Sequence, residues 1–210
     1  MQTNTEKVTY ESHITVDGSR DGMLKFGYEM KKLGIKVIHV GNGFPTIDYH
    51  HMTSVVCRNA SDVSAVEQIV KVVTDNLKSD DVQITRIKLE KSPTPKGSVV
   101  GECYYECHVE VFGGAISRKL YDPAFWFVSQ NTNKFKTVPD GRLECIFMLT
   151  ARMKNISLDS FTEAVYAKMI PFIDLIVDKS KVFIEECVYD TNEHLDAHWM
   201  NIEKGSISSE

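Results

Sequence analysis

The sequence predicts an α+β protein made by internal duplication of a βαββαβ unit with antiparallel sheets, and three observations carry that prediction. Tyr10-Glu11-Ser12-His13-Ile14-Thr15-Val16 recurs 95 residues later as Tyr105-Glu106-Cys107-His108-Val109-Glu110-Val111, keeping the Tyr, Glu, His and final Val. Met52, Asn59, Ser61, Ser64 and Glu67 recur at an offset of 96 as Met148, Asn155, Ser157, Ser160 and Glu163. Each copy also passes between alternating and helical periodicity in a similar order. A repeat is weighed before any short motif, because it decides the whole architecture.

In the first copy, Val8 to Val16 alternates and is rich in β-branched residues, so it reads as a strand, and Gly18 to Gly22 as a turn. Met23, Phe26, Met30 and Leu33 then fall near helical spacing, and Gly34 supplies a stop. Ile35 to Val40 and His51 to Arg58 read as strands on either side of the turn-rich Gly41 to Pro45. Ser64 and Glu67 form a capping box for a helix with Val66, Ile69, Val70, Val73 and Leu77 as its apolar stripe. Val82 to Leu89 closes the copy as a strand. This order is that of the ferredoxin-like unit, whose helices pack on one face of a four-stranded sheet.

The second copy places strands at Cys103 to Val111, near Trp126 to Ser129, at Leu143 to Met153 and at Val182 to Tyr189. A long helix runs over Ser160 to Ile176, with Pro171 expected to kink it or end it early. Its first helix is the weak point, because Gly113 to Phe125 contains Gly-Gly and Asp-Pro. The expected division is a first repeat at 1–92, a linker at 93–99, a second repeat at 100–192 and a C-terminal clasp and fraying tail at 193–210.

Composition restricts function less than fold. The chain has 210 residues, 42% hydrophobic and 25% charged, the make-up of a soluble globular protein. Lys plus Arg total 24 against 29 Asp plus Glu, a net charge of −5 that offers duplex nucleic acid no basic field. No apolar run approaches the roughly 18 residues that span a bilayer, and Met1 to Lys7 lacks the order of a secretory signal. A cytoplasmic protein with no membrane partner is expected. Its five cysteines form no C-x-x-C pair and read as reduced thiols.

The repeated strand carries the chemistry. Alternation puts Glu11, His13 and Thr15 on one face and Glu106, His108 and Glu110 on the equivalent face, with Tyr10 and Tyr105 on the sides that the helices cover. The polar rows are therefore expected on the open side of each sheet. If the sheets face each other, His13 and His108 line a shared cleft, and Arg152 reaches it from the strand through Met148 and Thr150.

This arrangement resembles the two-histidine (2H) phosphoesterases, bilobal proteins of duplicated units in which each lobe supplies a His-x-Ser/Thr motif. His13-Ile14-Thr15 fits the motif, whereas His108-Val109-Glu110 puts a carboxylate where the family has a hydroxyl. His51-Met52-Thr53 also matches, but on a different strand. The resemblance implies metal-independent hydrolysis of a cyclic nucleotide or 2′,3′-cyclic phosphate, with His13 and His108 catalytic. Thr15, Arg152, Glu11, Glu106, Glu110 and Trp126 would then contact substrate, with no cofactor and no metal. Trp126 belongs to an aromatic cluster with Phe125, Phe127 and Tyr121 that serves either as core or as a stacking platform for a nucleotide ring.

Two rival readings use the same residues. Two Glu and two His could hold a metal ion, although none has the spacing of a familiar site. Alternatively, a Glu-x-His pair is an ordinary hydrogen-bonded surface or interface pair, Arg152 simply pairs with Glu106 or Glu110, and the protein is a non-catalytic binding or assembly factor. Small nucleotide or protein partners and homo-oligomers are compatible with either function. The tail Glu186 to Trp199, together with the two Tyr-Glu-x-His strands and Met148 to Asn155, resembles a family of bacterial and phage proteins; that resemblance implies no activity. Within the tail, Asp190, Thr191 and Asn192 favour Asx-type turns and a clasp against the domain.

Overall fold

The computed structural model describes residues 9–41, 49–58, 82–113, 120–137 and 141–193, with Ser64, Glu67, Gln68, Lys71, Thr74 and Asp75; over 38–41, 49–51, 53–58 and 130–134 it describes the backbone alone. Among the described residues, eight strands run in chain order: β1 (Thr9–Gly18), β2 (Lys36–Gly41), β3 (Tyr49–Arg58), β4 (Val82–Lys91), β5 (Ser98–Phe112), β6 (Phe127–Thr137), β7 (Leu143–Ser157) and β8 (Phe183–Asp190). Helix α1 (Arg20–Lys32) follows β1, and α2 (Leu158–Met169) follows β7.

All pairings are antiparallel, and the strands close into a barrel in the order β1-β3-β2-β6-β7-β5-β8-β4. Each half contributes four neighbouring strands in the ferredoxin-like order, β4-β1-β3-β2 and β8-β5-β7-β6. The halves join edge to edge. Lys88 to Lys91 of β4 pair with Glu186 to Asp190 of β8, and Val40 and Gly41 of β2 pair with Asn131 and Gln130 of β6. Such pairing removes the exposed sheet edges that two separate four-stranded sheets would present.

Helix α1 begins where the side chain of Ser19 accepts a hydrogen bond from the Gly22 amide, so the Gly18 to Gly22 segment read as a turn is the helix entry. The helix ends in a Schellman motif. Gly34 adopts a φ of +73°, its amide donates to Lys31 O, and the Ile35 amide donates to Met30 O. Gly22, Phe26 and Met30 recur every fourth residue and bury against Tyr10, Ile14, Val16 and Leu89. Ser157 caps α2 through the Ser160 amide, and Phe161, Val165 and Met169 pack on Tyr105, Cys107, Val109, Leu149 and Ala151. Burying each large side chain in these layers contributes roughly 1.5–3 kcal/mol.

Several expected boundaries move. The α2 helix stops at Met169 and continues as a 3-10 turn over Ile170–Leu175, because Pro171 cannot donate to the α-helical ladder. β6 extends to Thr137 although 130–136 is rich in Asn, Gln and Lys; its backbone groups pair with β7 and β2, so barrel closure overrides composition. The linker is shorter than expected, since β5 begins at Ser98. Ser64, Glu67, Gln68, Lys71, Thr74 and Asp75 are helical, where the capping-box helix is expected, while its stripe Val66, Ile69, Val70, Val73 and Leu77 lies outside the described residues. So do most of the Gly41 to Pro45 loop, the middle of Gly113 to Phe125, and everything after Glu193.

Candidate functional site

Because apolar residues of every second position face the helices, their neighbours face the barrel interior. That interior is charged. β1 presents Glu11, His13 and Thr15, β4 presents Arg86, Lys88 and Glu90, and β5 presents Tyr104, Glu106, His108 and Glu110. Thr150 and Arg152 come from β7, and Glu185 and Cys187 from β8. The polar rows expected on open sheet faces are enclosed instead, since the two sheets join at both edges.

A continuous chain of contacts links the halves. His13 Nε2 lies 2.8 Å from Glu90 Oε2, and Glu90 Oε1 lies 2.6 Å from Lys88 Nζ. Lys88 Nζ donates to Glu106 Oε2 at 3.1 Å, and Arg152 Nη2 donates to Glu106 Oε1 at 3.0 Å. The same Glu106 oxygen lies 3.2 Å from His108 Nε2, whose partner nitrogen Nδ1 is 2.9 Å from Thr150 Oγ1. Glu185 Oε2 approaches His108 Nε2 at 3.8 Å.

These contacts set the protonation states. Burial opposes ionisation of Glu106, but Lys88, Arg152 and His108 outweigh it and hold its carboxyl well below the usual range. Burial likewise opposes charge on Glu90, and Lys88 and His13 hold that group down as well. Lys88 would lose its proton through burial alone; Glu106 and Glu90 reverse this and keep the ammonium charged. Burial lowers the His108 pKa, with Glu106 only partly compensating, so the imidazole is neutral at pH 7. Glu185 is pushed up to about 8 by burial and then by the charges of Glu90, Glu106 and Glu11, and it keeps its proton at neutral pH.

The two ends of the interior differ. At one, Arg86 Nε and Nη2 donate to Asp190 Oδ1 and Oδ2 at 2.9 and 2.6 Å, and the Tyr104 hydroxyl donates to Oδ2 at 2.6 Å. Asp190 accepts also from the Asn192 amide, Asn192 Nδ2 donates to Thr85 O, and Thr191 exchanges bonds with the backbone of Ile87. Residues 190–192 thus clasp β4 shut over that end. Toward the other end, the side chains of His108 and Glu185 keep 32% and 29% of their surface in solvent.

Among the residues singled out from sequence, His13, His108, Thr15, Arg152, Glu11, Glu106 and Glu110 share this interior. Thr15 is buried, and its carbonyl accepts from Thr85 Oγ1. Trp126 does not belong to it. Its ring packs edge-on against Phe125 and Phe172 in the layer beneath α2, and its indole N–H points to Lys168 O, so it is a core residue on the opposite face of the sheet. Sequence reasoning missed Lys88, Glu90, Glu185 and Thr150, although Arg86, Lys88 and Glu90 alternate with Ile87 and Leu89 as visibly as the row of β1 does.

Glu90, Glu106 and His108 offer ligand atoms within 4.8 Å of one another, the donor set of a small metal centre. The Lys88 ammonium already lies against both carboxylates, and Arg152 against one, so a divalent ion would meet two fixed positive charges.

No protein-family model matches the chain, and no curated protein does. Among solved structures it is similar to a mutant chlorite dismutase from Candidatus Nitrospira defluvii, at 9% identity over 92% of this chain and 94% of that one, with a TM-score of 0.29. It is similar also to the acetolactate synthase small subunit from Thermotoga maritima, at 16% identity over 85% and 92% with a TM-score of 0.25. A dye-decolorizing protein from V. cholerae matches at 7% over 91% and 95%, with a TM-score of 0.24. Likeness at this level carries no functional argument, and the α+β architecture rests on the strand pairing itself. Among the described residues, no helix is long and apolar enough to cross a membrane.

Proposed function

We propose that the chain is a binding protein for a small neutral or cationic organic molecule, taken into the barrel at the His108 and Glu185 end. One observation carries this reading. Among the described residues, the interior row sets Glu11, Glu90, Glu106, Glu110 and Asp190 against Lys36, Arg86, Lys88 and Arg152, an acidic surplus of one inside a low-dielectric wall. Lys154 adds nothing to the positive side, because Glu102 and Glu193 pair with it at the rim. The protonated Glu185 and neutral His108 add hydrogen-bonding groups without adding charge. The equal strand order and the matched residues at offsets of 95 and 96 support descent of both halves from one duplicated βαββαβ unit.

The two-histidine phosphodiester reading is the runner-up. In its favour, both imidazoles approach Glu90, His13 at 2.8 Å and His108 within 4.8 Å. Against it, the cations that would hold a phosphate, Lys88 and Arg152, are already paired with Glu106. Histidine ring resonances, followed by NMR during titration with propylamine, N-methylacetamide and 2′,3′-cyclic AMP, separate the two. His108 signals move with the amine or the amide and stay unchanged with the cyclic phosphate. Binding or hydrolysis of the cyclic phosphate, with loss in His13→Ala or His108→Ala, would overturn the proposal in favour of the runner-up.

A further inference from the structure

Thr150, His108 and Glu106 stand in the relation of nucleophile, base and orienting acid. β5 and β7 pair in a register that sets His108 directly opposite Thr150. The Thr150 hydroxyl lies 2.9 Å from His108 Nδ1, and Glu106 Oε1 lies 3.2 Å from Nε2. Lys88 and Arg152 keep Glu106 ionised, and its negative charge 3.2 Å from Nε2 favours the tautomer with the proton on Nε2, which turns the Nδ1 lone pair toward the hydroxyl. A hydroxyl on one ring nitrogen and an ionised buried carboxylate on the other is the geometry that activates serine and threonine nucleophiles. The imidazole is reachable from solvent, whereas the carboxylate behind it is fully buried.

We propose that Thr150 is a nucleophile for acyl transfer from small, uncharged carboxylic esters, with His108 as its general base and Glu106 as a positioning residue. This rests on the barrel interior being the ligand site. Thr150 Oγ forms a bond to the ester carbonyl carbon while its proton passes to His108 Nδ1. The tetrahedral adduct then expels the alcohol, which takes that proton, and leaves an acyl-threonine ester. Water, deprotonated by the same nitrogen, attacks this ester and releases the carboxylic acid and free Thr150. Glu106 stabilises the imidazolium formed in each half-reaction without itself taking a proton. The groups facing His108 are Glu106 from its own strand, Lys88 and Glu90 from β4, Arg152 from β7 and Glu185 from β8. The acidic balance of the interior selects against esters that carry a negative charge.

The test is p-nitrophenyl acetate with the full chain, followed by peptide mapping for acetyl groups and by the rate of p-nitrophenol release. The expected result is one acetyl group on Thr150, present in wild type and Thr150→Ser and absent in Thr150→Val, whose near-identical shape preserves the fold. The acylation rate rises with pH to a plateau, with a midpoint below 6.5, and Glu106→Gln moves that midpoint further down, which a purely structural carboxylate would not do. Absence of acetyl on Thr150 in wild type, or labelling that survives Thr150→Val at an unchanged rate, overturns the proposal. The histidine titration with propylamine and N-methylacetamide decides the binding reading separately, so a chain that binds but is never acetylated is distinguished from one that does neither.

Discussion

The two halves place the same Glu-x-His row on equivalent strands, yet give it different surroundings. In the second half, Glu106 is fully buried and receives Lys88, Arg152 and His108. In the first, the Glu11 side chain keeps 44% of its surface in solvent and lies 3.9 Å from His13, which turns instead to Glu90 on the neighbouring strand. His13 faces Ser54 across β3 in the register where His108 faces Thr150 across β7. A repeated motif therefore specifies the position of a side chain, and the cations that reach it from other strands decide what it can do.

Removing the two glutamates should expose this difference most strongly. Glu106→Ala leaves Lys88 and Arg152 without their shared buried counter-charge and should cost about 3–5 kcal/mol. Glu11→Ala, at a solvated position, should stay within about 0.5 kcal/mol. Urea denaturation measures both, and equal losses would erase the distinction between the halves.

A smaller effect sharpens the same contrast through pH. The folded state holds the Glu185 proton up to about pH 8, while the unfolded chain releases it near the usual carboxylate value. Between those values the folded state binds more protons, so this group makes stability fall as pH rises from about 4.5 to 8. Glu185→Gln keeps a neutral amide in place and should remove that slope, gaining about 3 kcal/mol at pH 8.5 relative to pH 5.5. Denaturation midpoints at the two pH values read the difference; an unchanged slope would mean that Glu185 is ionised at neutral pH.

Much of the fold is visible in the chain because it is written locally. Gly34 stops one helix, Pro171 ends another, and alternation in β1 and β5 separates the apolar layer from the polar row, whereas the Ser19 cap sits inside a segment that reads as a turn and the Ser157 cap ahead of a helix expected from Ser160. Barrel closure is not local. The β4–β8 and β2–β6 pairings join segments separated by roughly 90–100 residues, and 130–136 carries no strand composition to announce its part. The site was legible to the same degree. His13, His108, Glu106 and Arg152 follow from alternation once the sheets face each other, whereas Lys88, which alternates as clearly with Ile87 and Leu89, lies on a strand without the repeated Tyr-Glu-x-His motif that draws attention to β1 and β5. Trp126 was misplaced because an aromatic residue beside polar amides has the same composition whether it faces a ligand or a helix.

Charges from the two halves meet inside one barrel, and the contact of Lys88 in the first half with Glu106 in the second is the most direct witness of it. A double-mutant cycle with Lys88→Met and Glu106→Gln, measured by urea denaturation at pH 7, tests that contact. A coupling energy of about 2–3 kcal/mol is the predicted result. Additivity within about 0.5 kcal/mol would mean that the two side chains do not meet and that the halves do not share one charged interior.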